Sequence, residues 1–252
     1  MHILLVNDDG IASEALHRLC RAAAARGHKV TVCAPAAQQS AKAHSFSIND
    51  PLRIKAANVE GADSAWAVYG TPADCTRMGL KAMCTSPVDL IISGVNLGYN
   101  TGLATYVSGT VGAAREGAFM GIPAMALSME IGTPLETELF FDDWAIRVGE
   151  HLVGYGKRPP LSVCNINLPP VPVHQLKEPV ICPISTKVYM DDYISYESPQ
   201  GEVFFWPTSE FTDDNPPQGT DAGYTHSGHI TCTFLTPEPC SQEQFSDFFD
   251  AL

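Results

Sequence analysis

After Lys187 the 252-residue chain contains no lysine or arginine. Residues 188–252 hold 12 of its 28 acidic residues, whereas residues 1–187 carry all 15 basic residues and 16 acidic ones. The net charge of -13 is therefore almost entirely a property of the tail. A surface without cations excludes a nucleic-acid duplex as its partner, because the phosphate backbone has to be neutralised. Apolar runs long enough to span a bilayer are missing too, so no membrane span is expected. The eight cysteines form neither a CxxC pair nor any zinc-like spacing, which leaves buried thiols in a reducing cytoplasm as the expectation. No basic leader segment precedes the first apolar run, in keeping with that location. Neither GxGxxG nor GxxxxGK[ST] occurs, which argues against a dinucleotide fold or a P-loop.

What is present is a chain with 45% hydrophobic residues, ample for a core of its own. His2–Val6 reads as a short buried strand, Ser13–Arg26 as an amphipathic helix closed by Gly27, and Lys29–Ala34 as a second strand. Strands are expected near Phe46–Lys55 and Ala65–Tyr69, then a helix from Thr71-Pro72 to about Met83. Val88–Ser93 is the third buried strand. It is followed by a helix opening at Ser108, a strand over Ile122–Met129, a helix over Glu136–Tyr155 and a strand over Leu161–Ile166. This alternation predicts an α/β fold with a Rossmann-like, doubly wound, mostly parallel sheet. The core is expected over 1–168. Residues 169–252 are expected to form a mostly β extension with a terminal helix over Ser241–Ala251. Tyr189, Tyr193, Tyr196, Phe204, Phe205, Trp206, Phe211 and Tyr224 make that acidic tail too aromatic for a disordered appendage.

The loops at the ends of the first three buried strands share one edge of such a sheet, where ligands bind. They read NDDG, APAAQQS and SGVNLGYN. Together they bring Asp8, Asp9, Ser40 and Asn96, a set of hard oxygens suited to Mg²⁺, Mn²⁺ or Ca²⁺. A cation would also relieve the repulsion between two adjacent carboxylates. Ser108-Gly109-Thr110 opens a helix, and such a start offers free N–H groups to an anion. Thr71, Asp74 and Cys75 read as a helix start and a buried thiol, Glu116 as a packing or solvated residue, His44 as a flexible surface histidine, and His226 and His229 as surface or interface residues. A metal and an anion hole at one edge point to phosphate chemistry. A receiver-like phospho-acceptor domain and a non-catalytic metal- or nucleotide-binding protein are the alternatives.

LLVNDDG, GTPADC at Gly70–Cys75, SGVNLGYN at Ser93–Asn100, SGTVGAAREG at Ser108–Gly117 and GTD at Gly219–Asp221 together resemble the SurE family of 5′/3′-nucleotidases. The resemblance implies a hydrolase that uses one divalent ion per subunit, Mg²⁺ or Mn²⁺, to cleave nucleoside 5′- and 3′-monophosphates. It assigns Asp8, Asp9, Ser40 and Asn96 to the metal. Asn100, Ser108, Gly109 and Thr110 go to the substrate, and Asp8, Asn100 and Ser108 to catalysis. It also implies a homodimer or homotetramer built through a C-terminal hairpin and swapped elements. Two places depart from the family pattern: Ala41 follows Ser40 where glycine is usual, and residues 101–107 read TGLATYV, where the family commonly has acidic residues and a tyrosine directly before the serine.

Overall fold

The computed structural model describes residues 1–187, 192–208 and 215–237. Four successive apolar residues after His2, all five buried, make β1 (His2–Val6) a strand covered on both faces. Helix α1 (Glu14–Ala25) follows, then β2 (Lys29–Pro35), β3 (Arg53–Ala57) and β4 (Ser64–Tyr69). Helix α2 (Pro72–Met78) starts on a capping box: the Thr71 hydroxyl accepts from the Asp74 amide while the Asp74 carboxylate accepts from the Thr71 amide. A π-helical turn over Gly79–Met83 leads to β5 (Leu90–Leu97). The chain continues through α3 (Ala104–Val107), α4 (Gly109–Phe119), β6 (Ala124–Met129), α5 (Leu135–Gly154) and β7 (Val163–Leu168).

Strands β4, β2, β1, β5, β6 and β7 lie side by side and parallel, with β3 antiparallel at one edge. From β1 the chain winds outward to β2 and then returns to the other side of β1 as β5. The crevice between β1 and β5 is thus the switch point at which doubly wound sheets bind ligands. One face of the sheet packs Leu16, Leu19, Phe141 and Ile146 of α1 and α5 against Ile3, Leu5 and Ile92. The other packs Val111, Ala114 and Ala118 of α4, with Cys75 of α2, against Leu4, Val6 and Ile91.

Beyond residue 168, β8 (Lys177–Ile181) and β11 (His229–Leu235) extend the same sheet, β11 running antiparallel to β7 and parallel to β8. Between them lie the hairpin β9 (Tyr193–Glu197) and β10 (Val203–Pro207), and α6 (Asp221–His226). The hairpin forms a separate two-stranded sheet whose ten residues are all exposed. The terminal helix expected over Ser241–Ala251 falls outside the described residues, as do Tyr189 and Phe211.

Two expected elements differ in extent. The strand expected from Phe46 begins only at Arg53. Pro51 lacks a ladder donor, the Ser47 amide and hydroxyl both bind the Asp74 carboxylate, and Phe46 lies beneath the Arg77 guanidinium at 4.4 Å. The third buried strand does not stop at Ser93 but runs on to Leu97, because Asn96 and Leu97 still pair with Ser128 and Met129 of β6. Asn96 is therefore fixed by the sheet rather than carried on a free loop.

Candidate active site

Where β1 ends, the Asn7 side chain closes a tight turn. Its Nδ2 donates to the Gly10 carbonyl at 3.0 Å and its Oδ1 accepts from the Gly10 amide at 3.1 Å. That turn sets Asp8 and Asp9 at the β1–β5 crevice. Asp8 is 4% exposed, and its Oδ1 accepts from the Thr110 hydroxyl at the start of α4. The approach is close: a Cβ on Gly109 would lie 2.9 Å from the Asp8 Cβ, so no larger residue fits there without a shift. Gly109 and Thr110 are both buried, and their side of the helix start holds Asp8. Ser108 caps α4, its Oγ accepting from the Val111 amide at 3.1 Å.

Asp8, Ser40, Asn96, Asn100 and Ser108 line one cavity of about 750 Å³. The Ser40 loop is anchored to the acid turn by the Gln39 amide, which donates to the Asp8 carbonyl at 2.7 Å. Ala41 next to it adopts φ +56, a left-handed conformation that glycine accepts at lower cost. Asn96 spends its Nδ2 on the Gly98 carbonyl at 2.8 Å, which leaves its Oδ1 as the available end. Leu97, Tyr99, Pro169, Pro170, Val171 and Pro216 give the cavity an apolar portion, with Glu130 and the exposed His226 also in its wall. Burial and the Glu130 charge push the Tyr99 phenol above its usual range.

Both carboxylates titrate high. Burial raises Asp8, opposed by its hydrogen bonds with Thr110. Burial, then the charge of Asp8, pushes Asp9 up to about 6, opposed by the Leu97 amide. Asp9 Oδ2 is buried with no hydrogen-bond partner. Asp8 in the cavity wall with Ser40 and Asn96, and Asp9 next to it in sequence with an orphaned oxygen, are oxygen donors of the kind a hard divalent cation binds.

Asn100 is the most firmly held group of the site. Its amide donates to Asn167 Oδ1 at 2.8 Å, and its carbonyl accepts from Asn165 Nδ2 at 2.8 Å and Asn167 Nδ2 at 3.1 Å. Its Nδ2 donates to the Ser128 hydroxyl at 2.8 Å. Sequence reading missed these three supports. The available signal was polar residues at alternate positions of a buried strand, Asn165 and Asn167, since a buried polar group is the informative exception. Reading Glu116 and His44 as bland also falls short. Glu116 is 6% exposed and binds His44 Nε2 at 2.8 Å and Arg77 Nε at 2.7 Å, and so ties the serine loop to α4 and α2.

Fold and site together define a doubly wound α/β protein with a carboxylate–amide cradle facing a capped helix start at its switch point. Residues 3–191 match the family described as Survival protein SurE, and the chain belongs to that family. It is 37% identical over 235 residues to a 5′-nucleotidase SurE of Maridesulfovibrio salexigens, covering 93% of this chain and 92% of the relative. Against a 5′-nucleotidase SurE of Prochlorococcus marinus it is 34% identical, covering 87% and 81%. The crystal structure of the Sure protein from Aquifex aeolicus superposes with a TM-score of 0.81 at 26% identity, covering 100% of this chain and 99% of that one.

Proposed function

We propose that this chain is a divalent-metal-dependent phosphatase that hydrolyses nucleoside 5′-monophosphates, and 3′-monophosphates at the same site, to nucleoside and phosphate. The observation that carries the reading is the meeting of Asp8, Ser40 and Asn96 with Asn100 and Ser108 around one cavity. Family membership supports it, since the curated relatives are 5′-nucleotidases. Asp8, Asp9, Ser40 and Asn96 would hold one Mg²⁺ or Mn²⁺ per subunit. The chemistry supplied by an ion in that cradle is Lewis-acid polarisation of a phosphoryl oxygen and activation of water.

The chain's own residues do the positioning. Asn100 spends one Nδ2 hydrogen on Ser128 and keeps the other for a phosphoryl oxygen. Ser108, with the N–H of Gly109 at the start of α4, stabilises charge that develops on the phosphoryl group. Thr110 orients Asp8, leaving Oδ2 to direct or deprotonate the attacking water, a task Asp9 could share. As the water oxygen bonds to phosphorus, the ester P–O bond breaks and the leaving nucleoside oxygen takes up a proton. The apolar portion of the cavity, with Tyr99 and three prolines, suits a nucleoside base.

The same reading has the chain assemble as a homodimer or homotetramer. A two-stranded hairpin is marginal alone in water, and here Phe205 and Trp206 are 66% and 70% exposed. Burial against a second copy would remove both costs. Replacing Phe205 and Trp206 with serine should lower the mass measured by light scattering to that of a smaller assembly. No described helix is long and apolar enough to cross a membrane. The seven described cysteines are free thiols, which suits the cytoplasm.

The test is phosphate release from a panel of nucleoside 5′- and 3′-monophosphates after chelation, and again after Mg²⁺ or Mn²⁺ is added. Metal-restored multiple turnover is expected. No release with either ion overturns the proposal.

A further inference from the structure

Asp221 is a buried carboxylate that the proposed chemistry does not use. Asp221, the first residue of α6, is 0% exposed, and each of its oxygens is taken by backbone amides. Oδ2 accepts from the Gly102 amide at 2.8 Å, and Oδ1 from the amides of Ser185 and Ala222, both at 2.8 Å. Its own amide donates to the Pro183 carbonyl at 2.9 Å. Three separate stretches of chain therefore meet at one side chain. Gly102 opens the 101–107 segment, whose Thr101, Ala104 and Val107 line the substrate cavity between Asn100 and Ser108. Ser185 precedes the aromatic hairpin, and Asp221 follows it. A further tie joins the two flanks where Lys187 Nζ donates to the Asn215 carbonyl at 3.3 Å.

The contact at Gly102 is tight as well as polar. Gly102 has φ +53, and a Cβ there would lie 2.9 Å from the Ser185 carbonyl oxygen. The segment it opens has other supports: the Thr105 hydroxyl donates to the Gly102 carbonyl at 2.7 Å, and Arg115 reaches the Thr105 carbonyl at 3.3 Å. Asn100, by contrast, is held by Ser128, Asn165 and Asn167, none of which involves Asp221. A buried carboxylate is costly unless fully hydrogen-bonded, and backbone amides are the partners best able to hold it charged.

From this placement we propose that Asp221 is a positioning residue for substrate binding: its carboxylate fixes the 101–107 wall of the cavity to both flanks of the hairpin. The inference rests on the nucleotidase reading of the cavity. Because Asn100 and the acid turn are supported independently, Asp221 acts on how tightly the nucleotide is held and not on the metal or the phosphoryl transfer.

The test is Asp221→Asn, which keeps the size but replaces one accepting oxygen by a donor. We expect KM for a nucleoside 5′-monophosphate to rise about tenfold, with kcat and Mn²⁺ affinity each within about twofold of wild type. Amide hydrogen exchange at Gly102 and Ser185 should accelerate at least tenfold, a readout that needs no activity. Asp142→Asn, which removes a buried carboxylate on the opposite face of the sheet, should lower Tm with KM unchanged. If Asp221→Asn fails to fold, Gly102→Ala presses the same wall off Ser185 with Asp221 intact and should give the same rise in KM. Unchanged KM with only a lowered Tm, or unchanged exchange at Gly102 and Ser185, overturns the proposal. Absence of turnover in the wild type would instead overturn the nucleotidase reading, and the exchange measurement would still decide the clamp.

Discussion

Among the described residues, carboxylates crowd beside the buried sheet between α1 and α5 and again at the end of β1, and only the first crowd has a cation beside it. Between α1 and α5, Arg18 lies with Nη1 at 2.6 Å from Glu138 and Nε at 2.6 Å from Asp142. At the end of β1, Asp8 and Asp9 are adjacent, with the charge of Asp8 helping to raise Asp9, and among the described residues neither takes part in an ion pair. Both places lie at or beside the buried sheet. The first serves as a pin between two helices. The second is left with an orphaned oxygen and a raised Asp9, an arrangement that favours folding only when something positive is supplied. The difference separates a structural ion pair from a site better than burial or pKa does alone, because Asp142 also titrates at about 6.

The sharpest way to break the comparison is to neutralise each crowd in turn. Asp8→Asn or Asp9→Asn should reduce metal-dependent turnover on the order of a hundredfold or more. The Tm of the metal-free protein should hold or rise, since a repulsion is removed. Arg18→Met should do the reverse: it leaves the buried Asp142 and the half-buried Glu138 without their cation, at a cost of about 3–5 kcal/mol, or roughly 10 °C in Tm. Metal affinity should be retained. A stability loss of that size in Asp9→Asn would make the acid pair a structural element and remove the contrast.

The pH dependence of stability sharpens it. Asp142 is held at about 6 by burial, which outweighs the Arg18 charge and hydrogen bond that lower it. Arg18 is shared with Glu138, and Asp142 Oδ1 has no partner. A carboxyl raised in the folded state gives stability that is complete below about 4 and lost as pH rises through about 6. Melting temperature in the wild type should therefore fall between pH 4 and pH 7 more steeply than in Asp142→Asn. The difference is at most about 3 kcal/mol, from roughly two units at 1.4 kcal/mol each. Parallel melting curves over that range would contradict the assignment.

A smaller effect is expected at the serine loop. Ala41→Gly relieves a left-handed alanine but loosens the unfolded chain, so the net gain should stay below about 1 kcal/mol. Chemical denaturation of metal-free protein reads it directly, and a loss of stability would mean that the alanine packs better than its φ indicates.

Much of the fold was legible because it is written locally. Ile3–Val6 is apolar throughout, Thr71-Pro72-Ala73-Asp74 carries its own capping box, and Ser108 announces a helix start. Asp8, Asp9 and Ser40 were legible for the same reason, as each follows a recognisable strand, whereas Asn96 lies within β5 itself. What stayed hidden depends on pairing across distance. Asn165 and Asn167 meet Asn100 only because β7 lies beside β6, and Glu116 meets His44 across 72 residues. Gly109 and Thr110 were expected at the substrate, and the folded chain turns the Thr110 hydroxyl onto Asp8. No periodicity in a sequence encodes such choices. They follow from which face of a helix start the preceding turn approaches.

We propose that the Asp8–Asp9 pair binds a cation and that the carboxylates around Arg18 do not. Calorimetric titration of the chelated protein with Mn²⁺ tests it most directly, run in parallel on the wild type, Asp8→Asn, Asp9→Asn and Ser108→Ala. One ion per chain is expected in the wild type and in Ser108→Ala, with loss of that binding in both aspartate variants. One ion bound with unchanged affinity in Asp8→Asn and Asp9→Asn would contradict it.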